Sequence, residues 1–320
     1  PASLLFTVYR GFNTAVSRPK AVMALQLGGL ALKLPLTAAL VFGVPALGIP
    51  ELGVTGCGIA TACAMWGQVL IAWWVMRHDS FYAPFKLFGR GLNPPHRAAL
   101  KGLLKLGVPM GAGILIEVTG FSTMALLISR IGTVPVAGHQ VATNIVSLMF
   151  MLPLALANAS STLVAQRIGA GDLPDARRIG WHSLAFGVAL SAALGAAVFV
   201  ARHGVVGLYT ANPAIAGAAL PLLTWVVLFH IADAIQTITA FVLRAWRIAT
   251  VPMVIYAGAL WGVGLGGGYV VAFNLSGATP AALLGARGFW AASTTGLVVA
   301  SIALTVFMLL VLRPQARPAG

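Results

Sequence analysis

Three ionisable residues stand inside otherwise apolar stretches of this 320-residue chain: Lys33, Glu117 and Asp233. Each lies about 9–12 residues in from the more basic end of its stretch. That is roughly 14–18 Å along a helix, near the middle of a hydrocarbon layer about 30 Å thick. A charge at that depth costs about 2.5–3.5 kcal/mol or more, so it faces protein or water and marks a path for ions or solutes. Three such residues at one level suggest a shared interior site. Lys33 has two readings: a member of that site, or a partner that ties helices together through a carboxylate.

Their neighbours fall into helical stripes. His230, Asp233, Gln236 and Thr237 share one face. Met110, Gly113, Glu117, Phe121 and Met124 form a second face, soft and aromatic around one acid. Met and aromatic surfaces repack around ligands of different shape, although core packing explains Met110 and Met124 equally well. Gln140, Asn144, Ser147, Met151 and Asn158 form a polar stripe, which hydrocarbon cannot satisfy and which must therefore face protein or water. Gln236, Asn144 and Gln140 are expected to assist the acids as neutral ligands, and for the polar stripe interhelical hydrogen bonding is the alternative. His139, at the less basic mouth of the same stretch, is expected at the membrane interface.

Composition identifies the elements that must carry these residues. Hydrophobic residues make up 59% of the chain and charged residues 8%, with a mean hydropathy of +0.93; an ordinary soluble domain is about a quarter charged. Apolar spans run over about 21–43, 55–76, 106–129, 138–164, 181–201, 217–242, 251–273 and 288–312, each long enough to cross a bilayer as a helix. Residues 1–16 read as the tail of a further span. The expected fold is an all-α polytopic membrane protein. Sixteen of the twenty Lys and Arg residues fall in alternate connections, among them Arg90, Lys101, Lys105 and Arg317. Arg130, Arg202 and Arg287 lie on the other side. This is the positive-inside pattern, so the net charge of +14 orients the chain in a plasma (inner) membrane and calls for no nucleic-acid partner.

Enzyme signatures are lacking. Cys57 and Cys63 are too few for a disulfide framework. The string Gly262-Val263-Gly264-Leu265-Gly266-Gly267 has the spacing of a dinucleotide loop but no preceding strand; close helix packing or a kink accounts for it. No zinc-protease, Walker A or nucleophile-elbow motif occurs, and no cofactor is expected.

An internal repeat organises the chain. Arg10 pairs with Arg244, Pro19 with Pro252, and the run GVTGCGIA from Gly53 with GARGFWAA from Gly285, at offsets of 232–234 residues. Five spans separate the paired elements, so the copies share an orientation, as in transporters built from parallel repeats. The expected organisation is two six-helix lobes, the first incomplete. Residues 1–78 would be a remnant of the N-terminal lobe, 79–105 a linker on the basic side, and 106–320 the C-terminal lobe. The missing counterpart of roughly 101–234 implies a longer protein of about 450 residues.

Several segments resemble the MATE (multidrug and toxic compound extrusion) family. They are ALLISRIG with VAGHQVATNIVSLMFMLPLALANASS, LVAQRIGAGDLPDARR, DAIQTITAFVLRAWR, and LWGVGLGGGYVVAF with GARGFW. The resemblance implies export of organic cations and drugs in exchange for Na⁺ or H⁺, by alternating access in a lipid bilayer. No cofactor beyond the coupling ion is implied, and a monomer is expected. In the NorM-like branch, acids of the seventh and tenth helices serve the cation site, and the matching positions are Glu117 in ILIEVTGF and Asp233 in IADAIQ. The chain departs from the family pattern twice. Lys33 stands where asparagine is more usual, and would repel a coupling cation or weaken drug binding. Gly266 replaces a common proline. The rival readings are a lipid-linked saccharide flippase, or a membrane-embedded enzyme or receptor.

Overall fold

Lipid offers no partner to a backbone N–H or C=O, so each crossing must satisfy its own hydrogen bonds, and the apolar stretches do so as helices. In a computed structural model, which describes residues 1–45, 48, 50–88 and 96–313, eight helical segments are long and apolar enough to span a membrane. They are the eight expected, and the chain is a multi-pass α-helical membrane protein. Arg90, Arg317 and residues 89–95 of the expected linker lie outside the described residues.

The chain divides into two units. The first, Pro1–Pro95, contains α1 (Ala2–Ala15), α2 (Pro19–Phe42) and α3 (Gly53–His78). The second, His96–Gly320, opens with α4 (Arg97–Ser129), α5 (Thr133–Gly169) and α6 (Leu173–Val200), followed by the short α7 (Arg202–Tyr209). Its next crossing is broken into α8 (Pro213–Ala219), a 3-10 turn (Leu222–Trp225) and α9 (Val226–Ala245). The one after that comprises α10 (Thr250–Ala257), a π-helix (Gly258–Gly266) and α11 (Gly267–Ala272), before α12 (Ala286–Val311) closes the unit. Several helices outrun the apolar stretches at their basic ends. Thus α4 begins at Arg97, not near 106, and carries Lys101 and Lys105 in its first turns. Hydropathy ends where charge begins, whereas the hydrogen-bond ladder continues into the headgroup region.

In the first unit a polar fastening ties the residues after α3 to α1. The Asp79 carboxylate accepts the Phe81 amide (3.0 Å) and pairs with Arg18. Those two contacts, the amide first, hold its pKa below the usual carboxylate value. The Arg18 guanidinium also lies over the Phe81 ring, 4.2 Å from its centre. The Tyr82 hydroxyl donates to Asn13 Oδ1 (2.6 Å), and Asn13 Nδ2 donates to the Tyr9 carbonyl (3.0 Å). In the second unit α9 is the central post, packed against α5, α6 and α12. Phe229, Ile238, Val242 and Leu243 of α9 are fully buried there.

The repeat is written in backbone detail. At the end of α1 the Arg18 amide donates to Asn13 C=O and the Ser17 amide to Thr14 C=O, with Ser17 at φ 61°. At the end of α9 the Ile248 amide donates to Leu243 C=O and the Arg247 amide to Arg244 C=O, with Arg247 also at φ 61°. Both are the left-handed closure that satisfies the last helical carbonyls. The offset here is 230 residues, so Arg244 corresponds to Thr14 and not to Arg10. The pairing of the two arginines is off by one helical turn, and Pro19 and Pro252 fall out of register with it. The third pairing agrees with the structure: Gly53 (φ 52°) and Gly285 (φ 70°) take up the left-handed conformation where α3 and α12 begin. Close behind them, Gly56 and Gly288 lie against the backbone around Leu40 and Ala272, at the same spacing of 232.

Glycines also bring α12 into contact with the preceding crossing and the loop between them. A Cβ on Gly288 would strike the Leu283 carbonyl and come within 3.0 Å of the Ala272 amide, and one on Gly296 would lie 2.6 Å from the Ala259 carbonyl. Backbone cannot give way as a side chain can. Gly288→Ala is therefore expected to destabilise the protein by about 1–3 kcal/mol, read as a lowered thermal midpoint in detergent. Gly262→Ala, where no neighbouring atom lies within 4 Å, should leave the midpoint nearly unchanged.

Candidate functional site

Glu117 is held at the level where α4 meets the π-helix. Gly120, one turn further on, lets Leu260 and Trp261 approach (a Cβ there would lie 3.1 Å from Leu260), and the Trp261 indole donates to the Ile116 carbonyl at 3.1 Å. The peptide next to Glu117 is thus pinned by a neighbouring crossing. Asp233 stands on α9 and is only 7% exposed.

Two cavities open on these acids, both within the second unit. The upper one, about 340 Å³, is lined by Glu117, Asp233, Phe121, Ser147, Met151 and Trp290, among others. The lower one, about 390 Å³, is lined by Glu117, Met110, Gln236, Thr237, Arg244 and Tyr256, among others. Among the described residues, neither carboxyl has a hydrogen-bond or ion-pair partner, and no cluster of three or more His, Cys, Asp or Glu side chains occurs. The available oxygens suit a proton or a hard monovalent cation better than a transition metal.

The stripes read from the sequence are partly divided. Along α4, Met110 and Gly113 line the lower cavity, Glu117 lines both, and Phe121 lines the upper one. Met124 is buried beyond them, its sulfur accepting from Ser293 Oγ at 3.6 Å. On α5, Ser147 and Met151 line the upper cavity, joined by Thr143, Val146 and Phe150. Gln140 and Asn144 are exposed and line neither cavity; each stands seven residues, about 10 Å along the helix, before a residue that does, Ser147 and Met151. On α9, Asp233 faces the upper cavity and Gln236 and Thr237 the lower, with Thr237 Oγ1 donating to Gln236 Oε1 at 3.1 Å. His230 lines neither. It is fully enclosed, with both ring nitrogens lacking a hydrogen-bond partner among the described residues. Lys33 belongs to the first unit, where it lines a separate cavity of about 370 Å³ with Arg10, Gln26 and Gln68.

The sequence reading of His139 as an interfacial residue is overturned. It is 1% exposed and takes the Trp290 indole hydrogen on Nδ1 at 3.2 Å. An indole N–H only donates, so Nδ1 carries the lone pair and the ring proton sits on Nε2. The pair fixes Trp290, which meets Phe229 (5.5 Å between ring centres) in the wall of the Asp233 cavity. Trp290 and Tyr256 are functional candidates that sequence reasoning missed. Each stands near the end of its crossing, where an aromatic reads as an ordinary belt residue. Tyr256 is buried and lines the lower cavity together with Glu117.

The MatE family profile matches residues 109–270, the stretch that holds both acids and most of the two cavity linings. The chain belongs to the MatE family. Its relatives include the probable multidrug resistance protein NorM of Aromatoleum aromaticum, 38% identical over 98% of this chain and 67% of the relative. Another is the multidrug resistance protein PmpM of Pseudomonas aeruginosa, 35% identical over 96% of this chain and 63% of the relative. A solved eukaryotic MATE transporter superposes with a TM-score of 0.83 at 21% identity, over 95% of this chain and 65% of that one. The MatE chain described here thus spans about two thirds of the length of the curated relatives it matches.

Removing the His139 ring while keeping its bulk, as in His139→Leu, leaves a buried indole N–H unpaired and is expected to cost about 1–3 kcal/mol. His139→Gln restores an acceptor and should recover most of that loss. Thermal midpoints of the two variants in detergent test the bond. Equal losses would show that Nδ1 contributes nothing as an acceptor.

Proposed function

We propose that this MatE chain is the larger part of a multidrug efflux transporter of the plasma (inner) membrane, which exports organic cations in exchange for Na⁺ or H⁺. The observation that carries the reading is the pair of carboxyls, on α4 and α9, that open on cavities without any protein partner. A buried carboxylate in a low-dielectric setting demands neutralisation, and a proton, a metal cation or a cationic drug can each supply it. Mutually exclusive occupancy then couples the flows: entry of Na⁺ or H⁺ displaces the drug, and the drug displaces the ion. Glu117 and Asp233 are assigned the ion, with Gln236 and Thr237 as neutral oxygen ligands on the lower side. Phe121, Ser147, Met151 and Trp290 provide an adaptable wall. The names of the relatives, multidrug resistance proteins at 30–38% identity, support the same substrate class.

Lys33 and Arg10, on one cavity of the first unit, give a specific reason to keep a second reading, export of an anionic lipid-linked saccharide. That reading leaves the two unpartnered acids of the second unit without a role.

Efflux of a fluorescent organic cation, with the sodium and pH gradients imposed separately, tests the proposal. Asp233→Asn and Glu117→Gln are expected to reduce gradient-driven efflux at least about tenfold, the factor equivalent to 1.4 kcal/mol, at unchanged membrane expression. Undiminished efflux in both variants would refute the assignment of the acids, and efflux indifferent to either gradient would refute antiport.

A further inference from the structure

An antiporter must release its coupling ion on the side opposite to entry, and that ion need not share the route of a bulky drug. The two cavities of the second unit are arranged for such a release. The upper one is lined toward the less basic ends of the helices, by Thr143 early in α5, Phe229 early in α9 and Trp290 early in α12. The lower one is lined toward the basic ends, by Arg244 at the end of α9 and by Ala249, Pro252 and Met253 around the start of α10. Only Glu117, Val118 and Phe150 line both. One carboxyl therefore stands in a thin, otherwise apolar partition between two spaces.

The lower space is large enough for about a dozen waters at roughly 30 Å³ each. Its inner end offers oxygens from Glu117, Gln236, Thr237 and Tyr256. At its outer end the Arg244 guanidinium rests on the Phe241 ring, 3.9 Å from the ring centre, where packing fixes the charge in place. Glu117 and Arg244 are the charged residues of the lining, opposite in sign and at opposite ends.

We infer that the lower cavity is the release chamber through which a monovalent inorganic cation or proton passes from Glu117 to the cytoplasm, with Arg244 as the residue that sets how readily it leaves. The inference rests on the antiport reading and adds to it a route and a control point. Repulsion from a fixed guanidinium shortens the stay of any cation in the chamber. It also keeps cytoplasmic cations from refilling the site while a drug is bound.

Two measurements on the membrane-embedded protein test this. In a background of Cys57→Ala and Cys63→Ala, Ala240→Cys reports on the lower cavity and Ser147→Cys on the upper. A small, membrane-impermeant thiosulfonate reagent is expected to label Ala240→Cys in inside-out vesicles and not in right-side-out ones. Labelling from the outer face only, or from neither, overturns the chamber. In proteoliposomes, Arg244→Gln should lower several-fold the cytoplasmic-side concentration of coupling ion that half-inhibits efflux, while Arg244→Lys stays near the parent value. Unchanged inhibition in Arg244→Gln, or an equal shift in Arg244→Lys, overturns the role of the charge. If Asp233→Asn abolishes coupled efflux while Ala240→Cys fails to label from the cytoplasmic face, the release route falls and the antiport reading stands.

Discussion

An ionised carboxylate cannot be left alone in a medium of low dielectric, and the second unit is organised around that constraint. Most other polar groups of its interior are satisfied within the fold; among the described residues the His230 ring, Thr239 Oγ1 and Trp246 Nε1 are not. Helical ladders close on their own carbonyls, Ser, Thr and Asn side chains back-bond within their own helices at positions such as Asn158, Ser160, Thr294 and Thr305, and arginines sit at helix ends over aromatic rings. Glu117, half-buried, and Asp233, buried, are the acids to which the fold gives no hydrogen-bond or ion-pair partner among the described residues. A protein that spends several kcal/mol on such a defect keeps it for an external partner. A proton, a monovalent cation or a cationic drug would each answer it.

The aromatic wall gives that defect a defined surface. Phe121, Phe229 and Trp290 meet in tilted and edge-to-face pairs, with 6.4 and 5.5 Å between successive ring centres, and His139 holds the last of them from behind. Rings in these arrangements present faces and edges of opposite partial charge. An organic cation can lie against such faces without any dedicated hydrogen bond, which is what a site for many differently shaped ligands requires. Shape recognition would demand fixed polar contacts, and the wall supplies few: Ser122, Thr143 and Ser147 are its hydroxyls. Under the proposed efflux function, that lining would select by charge and tolerate differences of form.

How much of this was legible in the sequence depended on the kind of signal. The eight crossings and both acids were legible because hydrocarbon enforces them: length and apolarity for the one, rarity of buried charge for the other. Register was harder. Arg10 and Arg244 were paired because arginine is expected wherever a crossing meets the basic face, and that rule tolerates a slip of a full turn. The left-handed residues at Ser17 and Arg247 tolerate none, but nothing in their side chains announces a positive φ. Gly53 and Gly285 gave the correct register because glycine is the residue that does announce it. On α5, Ser147 and Met151 were found and Thr143 was not, since a periodic stripe defines a face only to within the width of one residue step. His139 and Trp290 were misread or missed for a common reason: each is ordinary at a membrane interface, and only the fold reveals that they meet in the protein interior.

Stability is unevenly distributed around the two acids. Asp233 lies on α9, which is buried along nearly its whole length by α5, α6 and α12. Glu117 lies on α4, whose buried residues, Gly120, Met124 and Ile128, all come after it in sequence. Before it, from Arg97 to Ile116, none is buried, and the helix carries Pro109, which leaves the ladder one hydrogen bond short. The crossing beside it passes through the π-helix at Gly258–Gly266, where the Gly267 amide reaches back five residues to the Gly262 carbonyl. A wide turn of this kind loosens the backbone ladder and recurs at functional sites. One acid is therefore mounted on the firmest post of the unit, and the other at the point where a helix leaves the core beside a softened neighbour. Free energy for local opening follows the density of buried contacts, so the wall that yields at least cost is the one carrying Glu117 and the partition between the cavities.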